Sequence, residues 1–150
     1  MTLYSFLVII HVFSAILGMG PGFVMIYIVN KAKNMTELKH AYFIRNRIHL
    51  FVMVGGTLLL LSGLGMGLLN PYLFHAFWYL ASLSLFIVAL AFGPLILSPK
   101  SKPIKKLLAE HTGEEIPAEY HQLVKKLFFY ERIENLIFLT VMALMVLKPL

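Results

Sequence analysis

Apolar residues fall into four runs, separated by two polar, basic connections and one short turn. The runs open at Leu3, Leu50, Phe77 and Leu136. Each of the first three holds ~20 residues or more, enough for a helix to cross a hydrocarbon core of ~30 Å. The fourth is shorter, but an apolar pattern leads into it from near Leu127. The pattern predicts an all-α, polytopic membrane protein with four transmembrane helices in an antiparallel bundle. The expected spans are 3–29, 48–69, 77–97 and 130–147, forming a single domain over 1–150, with cytoplasmic loops at 30–47 and 98–129.

Local signals refine these boundaries. Gly18-Met19-Gly20-Pro21-Gly22 sits in the middle of the first run. Inside a membrane such a segment is tolerated where a neighbouring helix approaches closely, and a kink or local unwinding is expected there. Thr36, followed by Glu37, is the expected N-cap of a second helix that starts before the membrane. Asn70-Pro71 ends that helix, and the short turn after it makes helices two and three neighbours. Trp78 and Tyr79 are expected interface anchors. Ser98-Pro99 and Lys102-Pro103 are expected to stop helix three, leaving a polar loop to Glu119 with a short surface helix over 104–109. Helix four should begin near Pro117 and end at Lys148-Pro149. The first run lacks a basic leader and a small-x-small cleavage site, so it is expected to be retained rather than cleaved as a signal peptide.

Composition supports this reading. The chain is 59% hydrophobic and 13% charged, too apolar for a soluble domain of 150 residues. The absence of cysteine excludes disulfides, iron–sulfur clusters and thiol catalysis. The net charge of +6 is set by placement: twelve of thirteen Lys and Arg residues lie in or beside the two long connections, and the Asn70–Ala76 turn has none. This is the positive-inside distribution. It predicts a multi-pass membrane protein with both charged loops cytoplasmic and both termini outside. The expected partners are the lipid bilayer and either further copies or a larger membrane complex, not nucleic acid.

Few residues can carry chemistry. His11 lies about two turns into the first helix, in line with Ala15, Gly18 and Gly22. A small-residue face packs against another helix, so His11 is expected to look into the bundle, where an ionisable group points to function. The plainer alternative is a neutral His bonded to a Ser or a carbonyl. His49 continues through Met53, Gly56, Leu60, Gly63 and Gly67, and is expected to point inward with Arg45. His11 and His49 differ by roughly 15 Å in depth, a poor bis-His pair. A His–Met pair of His11 with Met66 or Met142 is the alternative for a haem b iron, although Met is also ordinary packing material. Arg45, Arg47, Glu131, Arg132, Glu134 and Asn135 should gather at the cytoplasmic interface. Spare Arg donors there could hold a porphyrin propionate or a lipid phosphate, or the group is an ion-pair belt. No phosphate loop, nucleophile elbow or His-Glu-x-x-His motif occurs.

The run Ile9-Ile10-His11-Val12 followed by Gly18-Met19-Gly20-Pro21-Gly22 resembles the opening helix of a bacterial integral membrane family known as domain of unknown function 2269. The basic loop, Gly-rich second helix, Trp-led third helix and terminal Lys-Pro extend that resemblance over most of the chain. The layout is also similar to HemJ-type protoporphyrinogen oxidases and CopD-type membrane proteins. His11, Arg132 and Lys148-Pro149 match the HemJ pattern by position, while Glu134-Asn135 stands in the reverse order. The resemblance implies a place in the bacterial plasma (inner) membrane, a haem or porphyrin-like ligand and, for an enzyme, a membrane oxidoreductase. The competing expectations are a non-enzymatic accessory subunit and a copper or small-solute permease lined by His11 and Met residues.

Overall fold

The computed structural model describes residues 1–149, and its regular elements are all helical. The first rod is α1 (Leu3–Met19) followed by α2 (Gly22–Asn30). Thr2 caps α1 by accepting from the Ser5 amide at 3.1 Å. Gly20 and Pro21 keep right-handed helical angles, although regular α-helical bonding is interrupted between α1 and α2. The proline has no N–H to give, and the Phe23 amide reaches the Gly20 carbonyl at 3.2 Å instead.

α3 (Met35–Leu69) is 35 residues long. At 1.5 Å per residue it measures about 52 Å, well beyond the hydrocarbon thickness. Its N-cap is Asn34, not the expected Thr36: the Asn34 side chain accepts from the Glu37 amide at 2.9 Å. Thr36 instead lies inside the first turn and donates to the Glu114 carboxylate at 2.8 Å. A 3-10 turn (Pro71–His75) leads to α4 (Phe77–Phe92).

The third rod departs most from expectation. It does not stop at Ser98-Pro99. A wide π turn (Gly93–Leu97) joins α4 to α5 (Ser98–Glu110). Pro94 and Pro99 each fall in the first turn of their segment, where a missing N–H costs little. Most of the expected polar loop is therefore helix. α6 (Ala118–Leu147) completes the fold, with Pro117 as its N-cap.

Three continuous rods, Leu3–Asn30, Met35–Leu69 and Phe77–Glu110, are long and apolar enough to cross a membrane. In α6 the charges of Glu131, Arg132 and Glu134 interrupt the apolar run, and by the same measure it is not a fourth.

Packing separates into three levels. At one end Met35, Leu38, Tyr42, Ile104, Val124 and Leu127 form a core shared by α3, α5 and α6. Exposed Lys39, Lys102, Lys105, Lys106, Lys125 and Lys126 surround it. In the middle Met19, Leu59, Phe86, Ala89 and Phe138 join all the rods. At the other end Met66 packs with Leu73, Ala76 and Tyr79.

Candidate functional site

α1 lies against α3 without intervening side chains. A Cβ built on Gly18 would fall 2.6 Å from the Gly56 nitrogen, so only glycine permits the approach. Higher on the same face, His11 packs over Gly63, where an added Cβ would be 3.2 Å from the imidazole Cε1. The glycine stripe thus brings His11 to Ser62, with Nδ1 and Oγ 2.9 Å apart.

The Ser62 hydroxyl also lies 3.1 Å from the Leu59 carbonyl, and its one proton serves either contact. When it goes to Leu59, Ser62 Oγ accepts from His11 Nδ1–H and Nε2 keeps its lone pair. Nε2 has no hydrogen-bond partner among the described residues. A ring held through one nitrogen with the other left basic is the usual preparation of a histidine ligand.

His11 lines a cleft of about 610 Å³, within the size range of small-molecule sites. α1 contributes Val12, Ile16 and Met19, and α3 adds Leu59 and Gly63. Tyr79, Ser82 and Phe86 form the α4 wall, and Leu139, Met142 and Met145 the α6 wall. Val12 and Ile16 on α1 and Leu139 and Val146 on α6 are exposed, so the cleft opens sideways between these helices. Asn135 Nδ2 donates to the Gly22 carbonyl at 3.3 Å and ties α6 to α2 nearby. Tyr79 donates to the Gly63 carbonyl at 2.9 Å, fixing α4 to α3.

The structure brings His11 and Met142 to one cavity and places the other candidates elsewhere. Met66 is buried beside Leu73 and Tyr79 and does not line the cleft. Arg45 is a full rod segment away: 17 residues separate it from Ser62 on α3, about 25 Å along the axis. It pairs with Glu131 while its guanidinium lies over the rings of Tyr42 and Phe128. Its fork is therefore engaged, not spare. Arg132 is exposed. His49, expected to face inward, is exposed as well. Beside Arg45 the Tyr42 and Tyr120 hydroxyls meet at 3.1 Å, and burial pushes the Tyr120 hydroxyl above its ordinary range. Among the described residues no three His, Asp or Glu side chains gather as a metal-ion site.

The profile of a family described as a predicted integral membrane protein, DUF2269, matches residues 5–149. The chain belongs to the DUF2269 family. No curated protein and no solved structure matches it. As a DUF2269 member it is a predicted integral membrane protein embedded in lipid, which accounts for exposed Phe13, Ile16, Leu61 and Leu136. The cleft has apolar walls, with His11 on one and Met142 on another. No Lys or Arg lines it. Sequence reasoning anticipated a Ser or carbonyl partner for His11, as in the plainer reading, without naming Ser62, and missed Ser82 on the α4 wall. A small-residue face with a Ser near its middle was the available signal for Ser62. Nothing in the pattern marks Ser82.

Proposed function

We propose that this membrane protein holds haem or a porphyrin-like ring in the cleft between α1 and α6, with His11 as its anchor. The observation that carries the reading is His11, held through Nδ1 by Ser62 on the wall of an apolar cavity, so that Nε2 would be its free basic nitrogen. Met142, on another wall of the same cavity, would be the second residue to hold the ring. The walls would strip water from the ring faces, and the Ser62 bond would hold the imidazole in one orientation. When bound, haem supplies one-electron redox chemistry, and the protein sets its potential through ligation and burial.

The proposal includes a four-span antiparallel bundle in a bacterial plasma membrane, with both termini outside. The Phe86–Phe138 ring pair and the Lys148 ammonium 5.2 Å from the Trp78 ring centroid support it, because they run α6 back along α4. The lysine-rich end of the rods would then be cytoplasmic.

The test is a visible spectrum of detergent-purified protein, oxidised and dithionite-reduced, with haem supplied during expression. The wild type should show a Soret band and reduced α and β bands. His11→Ala should lose them, and Met142→Ala should shift the reduced bands. A featureless wild-type spectrum would remove the haem reading and favour an accessory subunit.

A further inference from the structure

Along α6, Leu127, Glu131, Glu134, Phe138 and Val141 share one face at helical spacing. Leu127, Phe138 and Val141 are buried, so this is the face that α6 turns toward the other rods. Glu131 and Glu134 are both partly buried on it. The two carboxyl groups have one cation between them. Arg45 Nη1 donates to Glu131 Oε2 at 3.1 Å, and Nη2 donates to Glu131 Oε1. Both arms of the guanidinium are thus spent on Glu131. Glu134 makes no hydrogen bond and no ion pair among the described residues.

No other charge is placed to balance it. α6 packs on α4, α5, α2 and the π turn. Of these, α2, α4 and the π turn contain no charged residue. α5 holds Lys100 over the Tyr130 ring, 5.0 Å from its centroid and about one turn toward the charged end. Arg132 and His49 are exposed, and the Tyr42 and Tyr120 hydroxyls bond to each other at 3.1 Å. Asn135 spends its amide on the Gly22 carbonyl. Arg45 is the charge that acts on Glu134, and its fork is already taken. A carboxylate removed from water without a counterion is far more costly than the neutral acid, and a second carboxyl group beside an ionised one is the one that takes a proton.

We propose that Glu134 is a proton-binding site inside the membrane: Glu131 carries the negative charge that balances Arg45, and Glu134 carries an exchangeable proton. The proposal goes beyond the haem reading and does not depend on it. Ionisable groups on the inner face of a membrane helix mark proton pathways. Glu134 lies three residues beyond Glu131, about 4.5 Å farther along α6 from the charged end, so it is the deeper of two carboxyl groups stacked on one face.

The test is infrared spectroscopy of the protein in phosphatidylcholine vesicles at a pH of about 6, where a free Glu side chain is ionised. Thermal unfolding is measured on the same samples. The wild type should show the carbonyl band of a protonated carboxyl group, and the band should shift in D2O. Glu134→Gln should lose the band and unfold at the wild-type temperature, because an amide imitates the neutral acid. Arg45→Met should add a second band, from the stranded Glu131. Absence of the band in the wild type, or its survival in Glu134→Gln, would overturn the proposal. So would a band that does not move in D2O, since that proton would not exchange. A clearly lower melting temperature for Glu134→Gln would also overturn it, by showing that the ionised carboxylate stabilises the fold. None of these outcomes bears on haem binding, which the visible spectrum tests separately.

Discussion

Gly18 of α1 and Gly55 of α3 meet backbone against backbone, and a Cβ on Gly18 would lie 2.7 Å from the Gly55 carbonyl carbon. This crossing sets the register that delivers His11 to Ser62 about two turns away. In a membrane, where lipid is as apolar as leucine, close approach of this kind is a main source of helix association. Gly18→Val or Gly55→Val should therefore force the helices apart and cost about 1–3 kcal/mol by overpacking. Gly93→Ala, with open space around the new methyl, should be nearly silent. Thermal unfolding in detergent measures all three. A melting temperature for Gly18→Val equal to that of Gly93→Ala would show that the crossing is not a tight constraint.

Arg45 and Glu131 form a buried pair, with side chains 10% and 13% exposed. Removing one partner strands the other charge, which typically costs about 3–5 kcal/mol, whereas replacing both with apolar residues is often neutral. Arg45→Met and Glu131→Met should each lower stability strongly, and the double variant should recover most of the loss. The aromatic faces of Tyr42 and Phe128 already suit an apolar replacement. A double-mutant cycle on unfolding free energies decides the matter. Additive losses would mean that the two charges are separately satisfied.

The fold was legible wherever hydropathy alone decides. The first three apolar runs, the interruption at Gly20-Pro21 and the turn after Asn70 follow from period and proline chemistry. The extension of helix three to Glu110 was not, because a Pro reads as a stop unless the preceding turn opens. Gly93-Pro94 opens it by widening to a π turn. His11 could be oriented because small residues stack on its face over several turns, and Gly18 and Gly63 are the contacts that result. His49 could not: a stripe of the same kind runs through it, yet its side chain is exposed. The cleft itself left no trace in the pattern. It is a gap between α1 and α6, and a gap is a property of two surfaces that sequence periodicity describes one at a time.

The Asn135–Gly22 bond joins α6 to the bent rod beside the cleft. Interhelical bonds of this type in membranes average about 0.6 kcal/mol, with a maximum near ~1.7 kcal/mol. Asn135→Ala should lose about that much, modest beside the Arg45 variants. Gly22→Ala should disturb the same contact from the other side, since its methyl would lie 3.2 Å from Asn135 Oδ1. The two changes share one contact, so their combined effect should fall short of the sum. Strict additivity in unfolding experiments would show that the contact does not couple the helices.

The orientation of the bundle can be read directly, because the chain has no cysteine to remove. Single cysteines at Thr2, Tyr72, Lys106, Lys126 and Pro149 sample both ends of the rods. With a membrane-impermeant maleimide on intact cells, Thr2→Cys and Tyr72→Cys should label, while Lys106→Cys and Lys126→Cys should label only after permeabilisation. Pro149→Cys tests the fourth span most sharply. The charges of Glu131, Arg132 and Glu134 sit midway along α6, and Arg45 neutralises one of them, so the apolar remainder after Glu134 has to reach the far interface. The Lys148 ammonium over the Trp78 ring gives that end an interfacial anchor. Labelling of Pro149→Cys on intact cells is therefore expected. If it labels only with Lys126→Cys after permeabilisation, α6 does not cross, and the chain has three spans with its termini on opposite sides.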